Sequence, residues 1–322
     1  MHRRTLLAFA AVVGASLATA GLTPAFALDD LRIVAPAKPG GGWDQTARSL
    51  QEVMQAAGTA KAVTVENVAG AGGTVGLAQL VDREKGNGNV LMVTGLVMIG
   101  AILTNNSPAT IDQTTPVARL TGEYEVIVVP ASSEFKTLAD LTAKLKADPG
   151  SVAFGGGSAG GTDHIIAGLV TKAVGGDVTK LNYVPFSGGG EALAAILGGH
   201  VAAGISGYGE WAGQIQSGEL RVLGITSPER VAGIDAPTLK EQGVDVELAN
   251  WRGIVASPGL DDAQKKALLD AVDQTVKSEQ WKKVLADRGW TDLYLAGDDF
   301  AALIASENTR TKEILQTIGL VK

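Results

Sequence analysis

The sequence predicts an α/β fold with doubly wound sheets in two lobes and a ligand cleft between them. Three observations predict it. Short runs that are apolar throughout alternate with stretches of helical periodicity, the pattern of parallel strands buried on both faces beneath helices. A strand, a glycine-rich turn and a helix start occur at residues 33–48 and again at 152–169, so two similar halves each present a helix N-terminus. No low-complexity tract or long linker separates them. The halves must then be joined by strand-like crossovers and not by a floppy tether.

Residues 1–27 read as an export leader. Arg3-Arg4 supplies the positive start, residues 5–20 the apolar stretch and Ala25-Phe26-Ala27 a small-residue site, with cleavage expected after Ala27. The rest of a twin-arginine signal is loose, so the general export route is the better match. Removing the leader takes the chain from 322 to 295 residues (322 less 27) and, because it carries two arginines, the formal charge from −7 to −9. That length builds one large or two medium domains with real cores. The negative balance argues against nucleic acid and anionic membrane surfaces as partners. With no cysteine there is no disulfide, lipid anchor or thiolate site, and three histidines, one of them in the leader, leave little for imidazole ligation. No metal and no cofactor are expected. Beyond the leader no apolar window of about 18 residues remains, so the exported chain is expected to be soluble.

In chain order, Leu31-Arg32-Ile33-Val34-Ala35 is a buried strand, stopped by Pro36, Pro39 and the triple glycine Gly40-Gly41-Gly42. A helix is expected from Asp44, with Ala47, Leu50, Met54 and Ala57 on one face and Gly58 as its stop. Further strands are expected at 63–68, 90–94, 126–129, 151–154, 181–184, 201–205, 220–225 and 253–256. Helices are expected at 138–146, with Thr137 as N-cap, and at 192–197. From Asp261 onward the pattern is helical only, at 263–277, 279–288 and 298–318.

Strand, glycine turn and helix start together leave several backbone N–H groups unpaired and aimed at one place, which attracts anions. The first turn offers Lys38, Gly41, Gly42, Trp43, Asp44 and Thr46; the second offers Ser158, Gly161, Thr162, Asp163 and His164. Glycine turns can also be purely structural, placed where backbones pack closely. The charged and hydroxyl residues gathered at both helix starts favour anion binding. Thr94-Gly95 and the stretch from Ser206 to Glu210 end strands, where ligands of α/β sheets sit. Arg252 opens a late strand with a fork suited to a carboxylate.

Two catalytic patterns match by letter. Gly155, Gly157 and Gly160 follow the dinucleotide fingerprint, with Asp177 beyond, but in a chain with 42 glycines such a match is easy. Gly156-x-Ser158-x-Gly160 follows the nucleophile elbow of hydrolases, which would make the chain an exported serine hydrolase using Ser158. Its base would be His164, on the helix that Ser158 opens, or His200; no histidine lies later in the chain. Neither pattern is well supported, and no catalytic residue is expected.

Eight stretches, in order, carry a more specific likeness. They are Ala35-Pro-Ala-Lys-Pro-Gly-Gly-Gly-Trp-Asp44, Val65-Glu-Asn-Val-Ala-Gly-Ala-Gly-Gly-Thr-Val-Gly76, Phe135-Lys-Thr-Leu-Ala-Asp-Leu141 and Ser158-Ala-Gly-Gly-Thr-Asp-His164. Then come Tyr183-Val-Pro-Phe-Ser-Gly-Gly-Gly-Glu191, Leu197-Gly-Gly-His-Val201, Ser217-Gly-Glu-Leu-Arg-Val-Leu223 and Pro237-Thr-Leu-Lys-Glu-Gln-Gly243. Through them the chain resembles the solute-binding receptors of tripartite tricarboxylate transporters, the Bug or TctC family. The resemblance implies a two-lobed type II periplasmic binding protein, with residues 28–128 plus 250–322 in one lobe and 129–249 in the other. It implies capture of a small-molecule carboxylate, delivery to the transporter's membrane subunits, and no catalysis. Both glycine turns would hold a ligand carboxylate through N–H groups and bridging water, and Arg252-Gly253 matches the family's late Arg-Gly. The turn lettering looks closest to members for citrate and similar tricarboxylates; dicarboxylates and amino acids share the scaffold. Gly86-Asn-Gly-Asn-Val90 departs from the family's usual turn before the strand at 90–94. A monomer is expected, since delivery needs both lobes free to move.

Overall fold

The computed structural model describes residues 28–322; the expected leader and its cleavage site lie outside the described residues. The chain opens with β1 (Leu28–Ala35), α1 (Gly42–Ala57), β2 (Ala60–Asn67), α2 (Thr74–Arg83), β3 (Val90–Gly95) and α3 (Leu96–Thr104). Helix α1 starts two residues earlier than the apolar periodicity indicates, since the glycine turn itself delivers helical backbone. It ends on Gly58 in the left-handed conformation (φ 71°), whose N–H satisfies the carbonyls of Gln55 and Met54. Helix α3 is apolar along its whole length and nearly all buried, so it has no amphipathic period to announce it.

A 16-residue strand, β4 (Thr115–Pro130), then leads into the second half of the fold. That half contains α4 (Leu138–Ala147), β5 (Ala153–Gly156), α5 (Thr162–Ala173), β6 (Asn182–Pro185), α6 (Gly189–Leu197), β7 (Ala203–Gly207), α7 (Tyr208–Gln216) and β8 (Leu220–Ile225). Strand β9 (Ala249–Ala256) returns to the first half, followed by α8 (Asp262–Val276), α9 (Glu279–Arg288), β10 (Thr291–Ala296) and α10 (Gly297–Thr317).

The strands form one path, β2-β1-β3-β9-β4-β7-β5-β6, with β8 and β10 also paired to β4. Pairing is parallel within each half, at β1/β2, β1/β3, β5/β6 and β5/β7. It is antiparallel wherever β4 or β9 takes part. The sheets are therefore mixed and not wholly parallel as the apolar runs suggested. Crossover strands that enter and leave the second half must run against their neighbours, and an apolar run does not encode direction. Residues 115–124 of β4 pair with β9, and residues 125–128 pair with β7.

Alternation along β4 then feeds two cores. Ile127 and Val129 join the large cluster that also holds Ile33, Leu50, Leu91 and Phe154. Val126 and Val128 face the smaller cluster around Ile196 and Trp211. One strand is thus structural for both halves, which explains why no flexible tether is needed.

The helical-only reading of the C-terminal part is corrected by β10, which pairs antiparallel with β4 through Thr291 to Gly122 and Ala296 to Ala118. Six residues between two helices give little periodicity, and the strand exists because a partner about 170 residues earlier offers an open edge.

Candidate functional site

Both glycine turns open on one cleft of about 640 Å³. Helix α1 is entered from Gly41 (φ −74°, ψ 166°) and α5 from Gly161 (φ −76°, ψ 179°), and neither N-cap carries a side-chain hydrogen bond. The first-turn N–H groups of both helices are therefore left for solvent or ligand, with the positive helix ends behind them.

Of the expected site residues, Lys38, Gly41, Gly42, Trp43, Ser158, Gly161, Thr162, Ser206, Glu210 and Arg252 line this cleft. Thr162 reaches across to Asn250 Oδ1 at 3.3 Å, tying α5 to β9. At the mouth Lys38 Nζ lies 3.6 Å from Glu191, which belongs to the first turn of α6.

Asp44, Thr94, Gly95 and His164 lie behind the lining, with partners of their own. Asp44 accepts from Gly40 N–H at 2.8 Å, from Arg48 at 3.0 Å and from Asn67 at 2.8 Å. Burial pushes its carboxyl up, but Arg48, Gly40 and Asn67 outweigh burial and hold it below the usual carboxylate range. Thr94 is fully buried and donates to Met98 Sδ. Gly95 leaves room for its neighbours, since a Cβ there would strike the Trp251 carbonyl. His164 Nδ1 accepts the Gly160 N–H at 3.2 Å, and its ring stacks on Tyr183 with centroids 4.0 Å apart. Burial lowers the imidazole to about 4, so it is neutral at pH 7 and is a brace of its turn, not a base for Ser158.

The cleft floor holds a set of ionisable groups that the sequence reading did not assemble. Arg252 of β9 donates through Nη2 to Glu123 of β4, with both side chains almost wholly buried. Its Nη1 is buried without a partner. Two residues on from Glu123, Glu125 is fully buried, and neither carboxylate oxygen has a partner. Burial drives that carboxyl well above its ordinary value, helped by the neighbouring Asp163, Glu123 and Glu210. Asp163 on α5 accepts the Gly157 N–H at 2.5 Å. Burial, together with Glu210 and Glu123, nonetheless raises it to about 7 against the pull of that N–H. Glu210 on α7 is raised too, by burial and by Glu123, although Arg252, the Gly189 N–H and Ser206 pull it down. On the other side, burial opposes the charge of Arg252, but the surrounding carboxylates outweigh burial and hold its guanidinium charged.

Four of these five groups, all but Glu125, rest on a glycine. A Cβ at Gly42 would strike the Arg252 guanidinium, one at Gly207 the Glu123 carboxylate, and one at Gly189 the Glu210 carboxylate. At Gly156 a Cβ would lie 2.7 Å from Asp163 Cβ. Several glycines of the cleft are thus there to let charged side chains in, as well as to expose N–H groups. Glu123 and Glu125 were signalled in the sequence by two carboxylates spaced i, i+2 directly before the apolar run 126–129; charged residues facing one side of a buried strand need a reason. Asp163 was read in sequence only as a polar member of the second turn, and Gly189 gave no separate signal.

Chemically, the arrangement can hold an anionic group against two helix starts and one free guanidinium N–H, and it offers buried oxygens at the floor. Among the described residues no cluster of metal-ligating side chains occurs, and no helix is long and apolar enough to cross a membrane.

The sequence model of a family described as the tripartite tricarboxylate transporter family receptor matches residues 46–320. The chain is 28% identical to the protein BugT of Bordetella pertussis over 96% of this chain and 97% of that one. Among solved structures it is similar to the periplasmic binding protein BugD, with a TM-score of 0.80 at 22% identity over 91% of this chain and 99% of the other. It is also similar to MatC of Rhodopseudomonas palustris, solved with bound malate, with a TM-score of 0.76 at 24% identity over 90% and 100%. These structural likenesses establish the two-lobed α/β periplasmic binding protein fold.

Proposed function

The chain belongs to the tripartite tricarboxylate transporter receptor family, and on that premise we propose that it captures a small carboxylate in its cleft and hands it to the membrane subunits of such a transporter. The family is one of periplasmic solute-binding proteins and not of enzymes, and His164 here is committed to bracing its own turn. The observation that carries the carboxylate reading is the pair of uncapped helix starts facing one cleft, with Arg252 Nη1 unpartnered between them. MatC, solved with bound malate, supports the same chemistry by analogy.

A ligand with one or two carboxylates suits the site best. Citrate, expected from the lettering of the turns, comes second, because a trianion over Glu125, Asp163 and Glu210 would need all three to stay protonated, with one guanidinium to hold it. Domain closure would remove water from the ligand and strengthen each charge-assisted bond. We take the lobes as 28–128 with 250–322, and 129–249, and the working form as a monomer exported by cleavage after Ala27. Protein recovered from the periplasm should then start at Leu28.

A thermal-shift screen of small mono-, di- and tricarboxylates tests the reading. At a hundredfold excess over Kd a true ligand stabilises by about 2.7 kcal/mol. That raises the melting temperature by several degrees in a domain of this size. No shift with any carboxylate would refute it.

A further inference from the structure

The floor of the cleft is rich in acceptors and poor in donors. Glu125 contributes two buried oxygens without partners, whereas among the described residues that line the cleft the one buried donor without a partner is Arg252 Nη1. Glu123 is engaged by Arg252 Nη2. Asp163 and Glu210 face the same space from α5 and α7, Asp163 already supplied by the Gly157 N–H and its own, and Glu210 by the Gly189 N–H and the Ser206 hydroxyl. Four carboxyl groups from three elements therefore surround one guanidinium, and no lysine, histidine or second arginine lines the floor with it. Lys38 stands at the mouth, paired to Glu191.

Buried carboxyl groups without partners are costly in a binding protein that has only to hold an anion. They become favourable when the ligand brings N–H donors and positive charge to them. Resting on the carboxylate reading above, we propose that the ligand is a zwitterion: a carboxylate held at the glycine turns and Arg252, and a cationic nitrogen donating to Glu125 and its acidic neighbours. The cleft is then built with two ends of opposite sign. The helix starts and Arg252 Nη1 receive the anion, and the floor between β4 and α7 receives the cation. The glycines at 42, 189 and 207 fit this arrangement, because they admit the guanidinium and two of the carboxylates to the floor where a larger residue would exclude them.

The two ends predict opposite proton linkage. In the free protein, burial and neighbouring carboxylates raise Glu125 and Glu210 and lift Asp163 to about 7, so Asp163 still carries a proton in part of the molecules at neutral pH. A bound cation lowers those groups and drives protons off, so through Asp163 its affinity rises as pH rises towards about 7 and levels off above it. A carboxylate donated to by the same protonated groups would do the reverse, taking protons up and binding more tightly as pH falls.

The test is isothermal titration of the full exported chain with matched probes: glutamate against glutarate, aspartate against succinate, γ-aminobutyrate against butyrate, and citrate. Each is titrated in phosphate and in Tris, so that the difference in heat reports the protons exchanged. The expected result is that the amine-bearing member of at least one pair binds at least about tenfold more tightly and releases protons. In Glu125→Gln that preference should shrink by a similar factor and the proton release should fall. If the amine-free member or citrate binds more tightly, or if binding takes protons up, the zwitterion inference is overturned while the carboxylate reading stands. If no probe binds, both fall. The proton count on the wild-type chain decides the question even if Glu125→Gln does not fold.

Discussion

Asp44 and Asp163 stand in the first turns of α1 and α5, each accepting an N–H from the glycine turn before it, Gly40 at 2.8 Å and Gly157 at 2.5 Å. The N-caps ahead of them, Gly41 and Gly161, share nearly the same backbone angles. Their electrostatics are opposite. Asp44 is braced by Arg48 and Asn67 and is held below the ordinary carboxylate range. Asp163 has no cation against it, faces Glu210 and Glu123, and is lifted to about 7. The same local motif has thus been made a structural clamp in one half and part of a titratable floor in the other. Backbone geometry alone does not say what a glycine turn is for; the charges that the rest of the fold brings to it do.

The largest break in this comparison is expected at Arg252, the one guanidinium that the floor shares with the first turn. Arg252→Ala leaves Glu123 buried beside three other carboxyl groups, and removing one partner of a buried pair costs about 3–5 kcal/mol. Urea unfolding should show that loss, with ligand binding abolished. An unchanged midpoint would mean that the floor is open to water and the pair is not buried.

At the braced turn, Asp44→Asn should cost about 1.5–3 kcal/mol at pH 7, the range for charge-assisted hydrogen bonds. The sign with pH follows from a lowered carboxyl: its contribution is present above the unfolded value of 3.8 and is lost as pH falls through the folded value. The gap between wild type and Asp44→Asn should therefore close below about pH 4.

Asp163→Asn should do the opposite. A carboxyl raised to about 7 binds its proton more tightly folded than unfolded, so the wild type loses stability as pH rises from about 4 to 7. The variant, which can still accept the Gly157 N–H, escapes that loss and should gain on the wild type across this window, then run parallel above it. Melting curves at four pH values would show it; a variant that gains nothing between pH 4 and 7 would place Asp163 in water.

The smallest effect is expected at the mouth. Lys38 and Glu191 are both more than half exposed, and such pairs contribute little. Lys38→Ala should leave the melting temperature within error in the absence of ligand. A clear drop would mean that the pair acts as a latch between the two turns.

Much of the architecture was legible in the residues. The apolar runs located strands in both halves, and Thr137, Gly58 and the glycine turns marked helix ends, because these signals are local. The apolar runs did not carry strand direction, and residues 291–296 did not announce a strand, because both depend on distant partners. Of the site, seven of the ten expected residues lining the cleft lie on the family stretches and Arg252 on the late Arg-Gly, while Ser206 and Glu210 were placed by the strand end before them. Asp44 and His164 share those stretches, and Thr94 and Gly95 sit at a strand end, but all four lie behind the lining, which local sequence cannot distinguish from facing the cleft.

By itself, then, the sequence determined the two strand–turn–helix units, the crossovers between them and the family to which they belong, since each rests on contacts within a few residues or on an ordered set of motifs. The tertiary structure alone decided the acidic floor. Glu123 and Arg252 are 129 positions apart, and Glu125, Asp163 and Glu210 reach them from β4, α5 and α7. The charge state of a buried carboxyl is set by what surrounds it in space, and only folding brings those neighbours together.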